Sequence, residues 1–301
     1  MNRFQLLKNT IKGELLKLSY KFIRPKINFG LRHSSNRKNK IIVSLTSYGR
    51  RVEKTVHLTL ISLLKQDYKP DRIILWLDND HWSNDNIPRE IKTLKEKGIE
   101  IRYCDDIKSY KKLIPTLKLC PNDYIITVDD DQYYPQNFIE GLVKAIDENP
   151  NNIYAYTVHK LTFDEEQNLK PYMNWKLCSS NHKQGLFFPT GVGGIIYNPN
   201  NLHNDVINEH LFMTLAPKAD DIWFFFMAFI NGKRCIPIQP KTDPIPLDNI
   251  YQKLHSGSSL RDCNWGEALN DKQIRAVMEY YNISDEQLYD FSLKTNTNEQ
   301  S

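Results

Sequence analysis

No stretch of this 301-residue chain reads as a transmembrane helix. That would take a run of about 18 apolar residues, and the longest apolar run, Ile222 to Ile230, is half that length. The basic N-terminus lacks an unbroken apolar core and a small-residue cleavage site, so it does not read as a secretory signal. Cysteine is sparse. Cys104, Cys120, Cys178, Cys235 and Cys263 are far apart, odd in number and never spaced C-x-x-C. This argues against a disulfide framework or a zinc ribbon and fits a reducing cytoplasm. Glycine-rich phosphate loops are missing as well. After the first strand comes Thr46-Ser47-Tyr48-Gly49-Arg50-Arg51, which has one glycine, so neither a P-loop nor G-x-G-x-x-G is present there. No internal repeat is found.

The composition, 40% apolar and 11% aromatic, is that of an ordinary globular protein. The net charge of +4 hides an asymmetry. Residues 1–40 hold eleven Lys and Arg against Glu14 alone, a net of +10, which leaves −6 for the rest. A mildly acidic body with a basic arm is not a nucleic-acid-binding domain; the arm is an anchor for an anionic surface or a solvated tail. Within it, Phe4, Leu7, Ile11, Leu15, Leu18 and Phe22 fall on one helical face, flanked by Lys8, Lys12, Lys17 and Lys21, and Pro25 ends the pattern. Two readings fit that stripe: an interfacial membrane helix, or a helix that docks on the protein's own core or on a partner. The polar, basic residues 30–40 read as a linker.

From residue 41 strands and helices alternate. Strands are expected at 41–45, 71–77, 99–103, 124–128 and 153–158. Helices are expected at about 52–66, 88–97, from 109, and from about 138 to 148, with another from the Asp220-Asp221 pair to Ile230. Such βαβ units predict a mostly parallel sheet. Residues 160–188 read as an irregular, aromatic-rich insertion and 240–270 as loop, with one or two helices over 271–291. The domain boundaries implied are 1–40 for the basic amphipathic arm and linker, 41–250 for the α/β domain, and 251–301 for a C-terminal loop and helical extension.

The most informative run is Tyr124-Ile125-Ile126-Thr127-Val128-Asp129-Asp130-Asp131. A buried strand ends in three carboxylates, and unpaired charges cannot stay in a core. They therefore emerge at the carboxyl end of the sheet, where ligands bind in open α/β folds. Clustered carboxylates there suit a hard divalent cation, Mg²⁺ or Mn²⁺, that keeps positions for phosphate oxygens; a solvated acidic loop is the plainer alternative. Asp78 and Asp105-Asp106 end two further strands on the same edge. Asp220 and Asp221 precede an apolar run, where one acid would suffice as a helix cap and the second suggests a general base. In Gly191-Val192-Gly193-Gly194, either Gly193 and Gly194 let the backbone approach a sugar ring or they make a tight turn before a strand.

Taken in order, these segments resemble a GT-A nucleotide-sugar glycosyltransferase over roughly residues 41–235, similar to family-2-like enzymes of bacterial capsule and lipopolysaccharide gene clusters. The marks are Val43-Ser44-Leu45-Thr46-Ser47-Tyr48, Ser62-Leu63-Leu64-Lys65-Gln66, Pro70 to Leu77, Lys112-Leu113-Ile114-Pro115, the acidic triplet, Thr190 to Gly194, and Ala219-Asp220-Asp221-Ile222-Trp223. The resemblance implies a Rossmann-like, mostly parallel sheet flanked by helices, with an N-terminal amphipathic helix and a C-terminal helical tail as additions. It places Ser44 and Thr46 near the nucleotide base and ribose, Asp78 or Asp105 on the uracil or ribose, and Lys112 on the diphosphate. Asp129 and Asp131 match the outer positions of D-x-D and would hold Mn²⁺ or Mg²⁺, with Asp130 toward the donor. Asp221 falls where inverting relatives carry the general base. Asp220 stands where they carry Glu, which leaves open which of the two is the base. His255 is a candidate third metal ligand or a surface loop histidine.

The Gln-x-x-Arg-Trp signature of processive synthases is absent after Trp223, which implies single addition. The implied partners are a nucleotide-sugar donor, a glycan or glycolipid acceptor, and the cytoplasmic face of the inner membrane, met through the N-terminal arm. Two other readings are a nucleotidyltransferase that makes the activated sugar and a non-catalytic glycan-binding or scaffold protein at the membrane face.

Overall fold

A computed structural model describes residues 3–22, 31, 37–178, 184–239, 242–248, 250 and 268–294. In chain order its elements are α1 (Arg3–Phe22), β1 (Ile41–Thr46), α2 (Arg50–Lys54), α3 (Val56–Leu64), β2 (Arg72–Asp78), α4 (Arg89–Lys95) and β3 (Ile99–Cys104). Then come α5 (Ile114–Leu119), β4 (Tyr124–Thr127), β5 (Gln132–Tyr133), α6 (Phe138–Glu148), β6 (Ile153–Ala155), β7 (Val158–Lys160), β8 (Lys176–Cys178) and β9 (Phe187–Pro189). The remainder are β10 (Ile195–Tyr197), α7 (Glu209–Leu215), α8 (Asp220–Ile230), β11 (Cys235–Pro237), β12 (Ile245–Pro246), α9 (Leu269–Tyr280) and α10 (Asp285–Leu293).

The central sheet has the order β11-β6-β10-β4-β1-β2-β3. Strands β4, β1, β2 and β3 are parallel neighbours, and β11 is parallel to β6. β10 runs antiparallel between β4 and β6. The mostly parallel, helix-flanked sheet is the expected one. Its strands read as continuous apolar runs because both faces are covered. Alternate residues serve opposite layers: Ile41, Val43 and Leu45 join one core with Ile73, Leu75 and Leu77, while Ile42, Ile74 and Trp76 join the other. α8 lies in the second core and buries Trp223, Phe224, Phe225 and Phe226.

Several elements differ from the sequence reading. The helix expected at 52–66 is broken at Thr55, whose φ of −126° is not helical. The helix expected from 109 is a 3₁₀ turn, Lys108–Lys112, followed by α5 with Pro115 in its first turn. The strand expected at 153–158 divides, because β7 leaves the central sheet. It pairs with β8 and β9, so the stretch read as irregular contains a three-stranded antiparallel sheet. Residues 271–291 form two helices, with a Ser284/Gln287 capping box opening α10.

α1 docks on the domain with its polar side. Asn9 and Thr10 are buried, and a side chain at Gly13 would meet the Pro246 carbonyl oxygen at 2.2 Å. Tyr20 Oη lies 3.2 Å from Tyr133 Oη on β5. Four stripe residues point the other way: Leu7, Ile11, Leu15 and Leu18 are each more than half exposed, while the side chains of Phe4 and Phe22 lie outside the described ones. The stripe is therefore not what holds α1 to its own core. No helix among the described residues is long and apolar enough to cross a membrane.

Candidate active site

The acidic triplet leaves the sheet where β4 ends, and its backbone is fixed from several sides. Val128 N donates to Ser44 O, the last link to β1. Asp129 N donates to the hydroxyl of buried Tyr134, and Tyr134 N donates to Ser62 Oγ on α3. Thr59 Oγ1 donates to Asp130 O, and Leu247 N to Asp131 O. A strand followed by such a pinned turn presents its acids at the carboxyl edge, as the sequence predicts.

The three acids then part company. Asp130 accepts from Ser47 Oγ at 2.5 Å and from Arg51 Nη1 at 2.9 Å. Asp131 pairs with Arg51 Nη2 at 3.0 Å and accepts from Gln132 Nε2. Buried Asp248 takes Arg50 Nη1 at 2.9 Å and lies 3.6 Å from Arg51 Nε. One guanidinium thus serves three carboxylates, which its planar fork suits. Burial pushes the Asp130 carboxyl up to about 6, against the pull of Arg51. Asp129 turns away from this network, toward Lys112 Nζ at 4.0 Å. Burial, with the nearby charges of Asp131, Asp221 and Asp130, pushes its carboxyl up to about 7, although Lys112 opposes the rise.

Lys112 comes from the end of the 3₁₀ turn and is almost completely buried. Its Nζ lies 2.8 Å from Asp220 Oδ2 and 3.5 Å from Asp221 Oδ1. Burial opposes its charge, but three acids outweigh that and raise its pKa well above the ordinary lysine value. Lys112 therefore faces carboxylates of its own chain, where the resemblance implied a diphosphate.

Asp220 and Asp221 occupy the first turn of α8, and Ala219 is the N-cap. This corrects the cap position read from sequence, and neither acid is needed there as a cap. Asp220 is 6% exposed. Asp221 keeps 24% of its side chain exposed, and its Oδ2 accepts from Gly191 N at 3.1 Å. Burial raises its pKa; Lys112 opposes the rise and Asp220 adds to it.

The glycines of the 3₁₀ turn Gly191–Gly193 divide into two kinds. A Cβ on Gly191 would lie 2.8 Å from Lys112 Nζ, 3.0 Å from Asp129 Oδ1 and 3.7 Å from Asp221 Oδ1. Gly191 is thus the wall of the acid cluster. Gly193, named from sequence, presses on Thr157, with its backbone N 2.8 Å from the would-be Cβ. Gly194, also named, has φ +86° and abuts the Phe138 ring.

The remaining sequence candidates lie along the tips of β1 to β3. Ser44 is fully buried and hydrogen-bonded to Thr116 Oγ1 at 2.7 Å, so it supports the edge from beneath. Thr46 Oγ1 donates to Trp76 O. Asp78 accepts from His81 N, and Asp105, which is exposed, accepts from Asn79 Nδ2. His255 lies outside the described residues. Sequence reading missed Arg51 and Asp248, and within the glycine turn it singled out Gly193 and Gly194 where Gly191 is the one that faces the acids. The signal for Arg51 was present: three adjacent acids at a packed strand end require a counter-charge, and Arg50-Arg51 follows the neighbouring strand tip.

Among the described residues, no group of three or more His, Cys, Asp or Glu side chains is arranged to hold a metal ion unaided. The donor set still fits a cation that is shared with phosphate oxygens, because Mg²⁺-type sites need only one or two carboxylates. Asp129, with its raised pKa and a single cation at 4.0 Å, offers one carboxylate whose charge is poorly balanced. Asp131 is beside it but shared with Arg51. The cluster as a whole can do two things. It can attract positive charge at Asp129, and it can accept a proton at Asp221.

Residues 42–209 match the family described as Glycosyl transferase family 2, which is more than half of the chain. No curated protein matches. Among solved structures, residues 1–349 of S. aureus TarS in complex with UDP are 13% identical, with a TM-score of 0.45, over 87% of this chain and 98% of that one. A 4-diphosphocytidyl-2C-methyl-D-erythritol synthase is 13% identical, with a TM-score of 0.45, over 73% of this chain and 99% of that one. A CMP:2-keto-3-deoxy-manno-octonic acid synthetase complexed with CTP is 11% identical, with a TM-score of 0.43, over 73% and 98%. The assignment rests on the family match: this chain, with its acid-tipped, mostly parallel sheet, belongs to glycosyltransferase family 2 and is a glycosyltransferase.

Proposed function

We propose that this glycosyltransferase moves a sugar from a UDP donor to a hydroxyl of a growing surface glycan: capsule, lipopolysaccharide or lipid-linked oligosaccharide. The transfer inverts the anomeric carbon and adds one sugar per cycle. Asp129, with Asp131, holds Mn²⁺ or Mg²⁺, which when bound supplies Lewis-acid stabilisation of the leaving diphosphate. Asp221 removes the proton of the acceptor hydroxyl as it attacks. Its raised pKa suits that task, and the Gly191 N–H fixes its other oxygen. Asp220 keeps Lys112 in place between the two working acids. Thr46, Asp78 and Asp105 form the edge on which the nucleoside rests. The basic arm keeps the enzyme on the cytoplasmic face of the inner membrane, near a lipid-linked acceptor.

The observation that carries this reading is the convergence of Asp129 and Asp221 on one buried ammonium, beside a glycine that keeps the space open. The test is calorimetry with UDP and Mn²⁺, followed by a donor screen scored by UDP release. UDP binding that EDTA abolishes, and UDP release that needs an acceptor, are expected. Binding indifferent to EDTA would overturn the metal part. Pyrophosphate release from UTP and a sugar phosphate would instead identify a nucleotidyltransferase.

A further inference from the structure

α1 is amphipathic in the unusual sense. Its polar side is the packed one and its apolar side faces solvent. Leu7, Ile11, Leu15 and Leu18 are 57, 52, 59 and 52% exposed, a contiguous stripe of large aliphatics. Such patches mark an interaction surface. Lys8 and Lys12, both exposed, run along one flank of the stripe. Glu14, the one acid of residues 1–40, is paired with Lys17 at 2.6 Å on the other. One flank of the stripe is thus positive and the other carries a neutral ion pair, and this net positive charge selects the occupant. A second copy packed antiparallel, stripe to stripe, would bring Lys8 and Lys12 against their own equivalents, and a parallel one would set them against a Glu14 already paired with Lys17, whereas an anionic lipid surface complements both the aliphatics and the lysines.

The seating of α1 is as specific as its exposure. Gly13 lets the helix backbone rest on the Pro246 carbonyl of β12, with no room for a Cβ. β12 pairs with β5, as Ile245 opposite Tyr133 and Pro246 opposite Gln132. At the next step Leu247 N donates to Asp131 O, and Asp248 holds Arg50. Tyr20 and Lys65 close the other end: Lys65 Nζ lies 3.2 Å from Tyr133 Oη and 5.2 Å from the centre of the Tyr20 ring. The helix is therefore seated on the β5–β12 strand pair, which follows directly on the acidic triplet.

We infer that α1 is a fixed mount, whose Leu7-Ile11-Leu15-Leu18 face lies on an anionic bilayer while its Gly13 side grips the β5–β12 strand pair and so sets the orientation of the acid cluster to the membrane. This rests on the peripheral-membrane reading above and replaces a flexible tether by a rigid one. The full chain is tested by co-sedimentation with vesicles of phosphatidylcholine containing phosphatidylglycerol, and with pure phosphatidylcholine. Wild type should bind the anionic vesicles. Ile11→Glu/Leu15→Glu should weaken that binding about tenfold or more with an unchanged melting temperature, and Lys8→Glu/Lys12→Glu should weaken it and remove its salt dependence. Hydrogen exchange tests the mount. Vesicles should slow exchange at the amides of Gln132, Tyr133, Ile245 and Leu247 in wild type, but not in Gly13→Leu, which keeps the stripe and the lysines. Equal vesicle binding by Ile11→Glu/Leu15→Glu would overturn the lipid face. So would a wild-type dimer in lipid-free sedimentation that this variant dissolves. Slowing that persists in Gly13→Leu would overturn the mount. None of these measurements needs a nucleotide, so failure of the transferase mechanism would leave their outcome intact.

Discussion

The ammonium of Lys112 lies 2.8 Å from Asp220 Oδ2, and this contact separates two adjacent acids into different tasks. Asp220, buried, balances a buried charge. Asp221 lies farther from the same ammonium and keeps solvent access. In the proposed inverting transfer Asp221 is the base and Asp220 the support.

Substitution should separate the two. Asp221→Asn should lower kcat by roughly 10²–10⁴ and leave UDP affinity nearly intact. Asp220→Asn removes the closest partner of a buried cation, and breaking such pairs costs about 3–5 kcal/mol. It should be read first in the melting temperature. If Asp220→Asn spares stability and proves the more damaging to kcat, the roles are exchanged.

The pH dependence has two signs. Asp221 must be ionised to act, and its pKa is raised, so kcat should climb with pH above the ordinary carboxylate range. Lys112→Met removes the cation that opposes that rise and should move the limb to higher pH. For stability, Asp129 is held up to about 7 when folded, above its value of about 3.9 in an unfolded chain. A carboxyl that binds its proton better when folded contributes fully at low pH and loses that contribution as pH rises through about 7. Mn²⁺ should consequently raise the melting temperature more on the alkaline side of that value than on the acid side. Asp129→Asn should abolish the difference.

The glycines offer a contrast of function with packing. Gly191→Ala places a methyl group against Lys112 and Asp129. A displacement of this size in a catalytic constellation can cost about 10² in rate, and melting should change little. Gly193→Ala drives the methyl into the backbone of Thr157; overpacking of this kind costs about 1–3 kcal/mol, so the loss should appear in stability. Parallel kcat and melting measurements on both variants check the division.

Arg51→Met should leave Asp130 buried without its cation and destabilise the fold by about 3–5 kcal/mol. Arg51→Lys should rescue little, because a point charge cannot bridge Asp130, Asp131 and Asp248 as a planar fork does. Chemical denaturation of the two variants measures this.

The parts of this architecture that show in the sequence are those written in local periodicity. The run Tyr124 to Val128 ending in Asp129 announces both a buried strand and its position at the sheet's binding edge. The spacing of Leu7, Ile11, Leu15 and Leu18 announces a helix, and Asp220-Asp221 before nine apolar residues announces the start of another. Pairing across long separations leaves no such trace. Lys112 meets Asp220 across 108 positions and Arg51 meets Asp130 across 79. The family resemblance therefore sets Lys112 on a diphosphate without showing the internal acids it also meets. The sheet of β7, β8 and β9 was illegible for a related reason: three-residue strands joined by long loops have too few alternations to declare themselves. The direction of α1 was open because an amphipathic stripe says which residues share a face, not which face is packed. Gly13 against Pro246 settles that in three dimensions.

The most direct measurement of the proposed chemistry is the anomeric configuration of the product, read by proton NMR once the donor screen has given a sugar that turns over. A single displacement with Asp221 as base yields the configuration opposite to that of the donor. A product with the donor's own configuration would leave Asp221 without a proton to remove and would contradict the assignment.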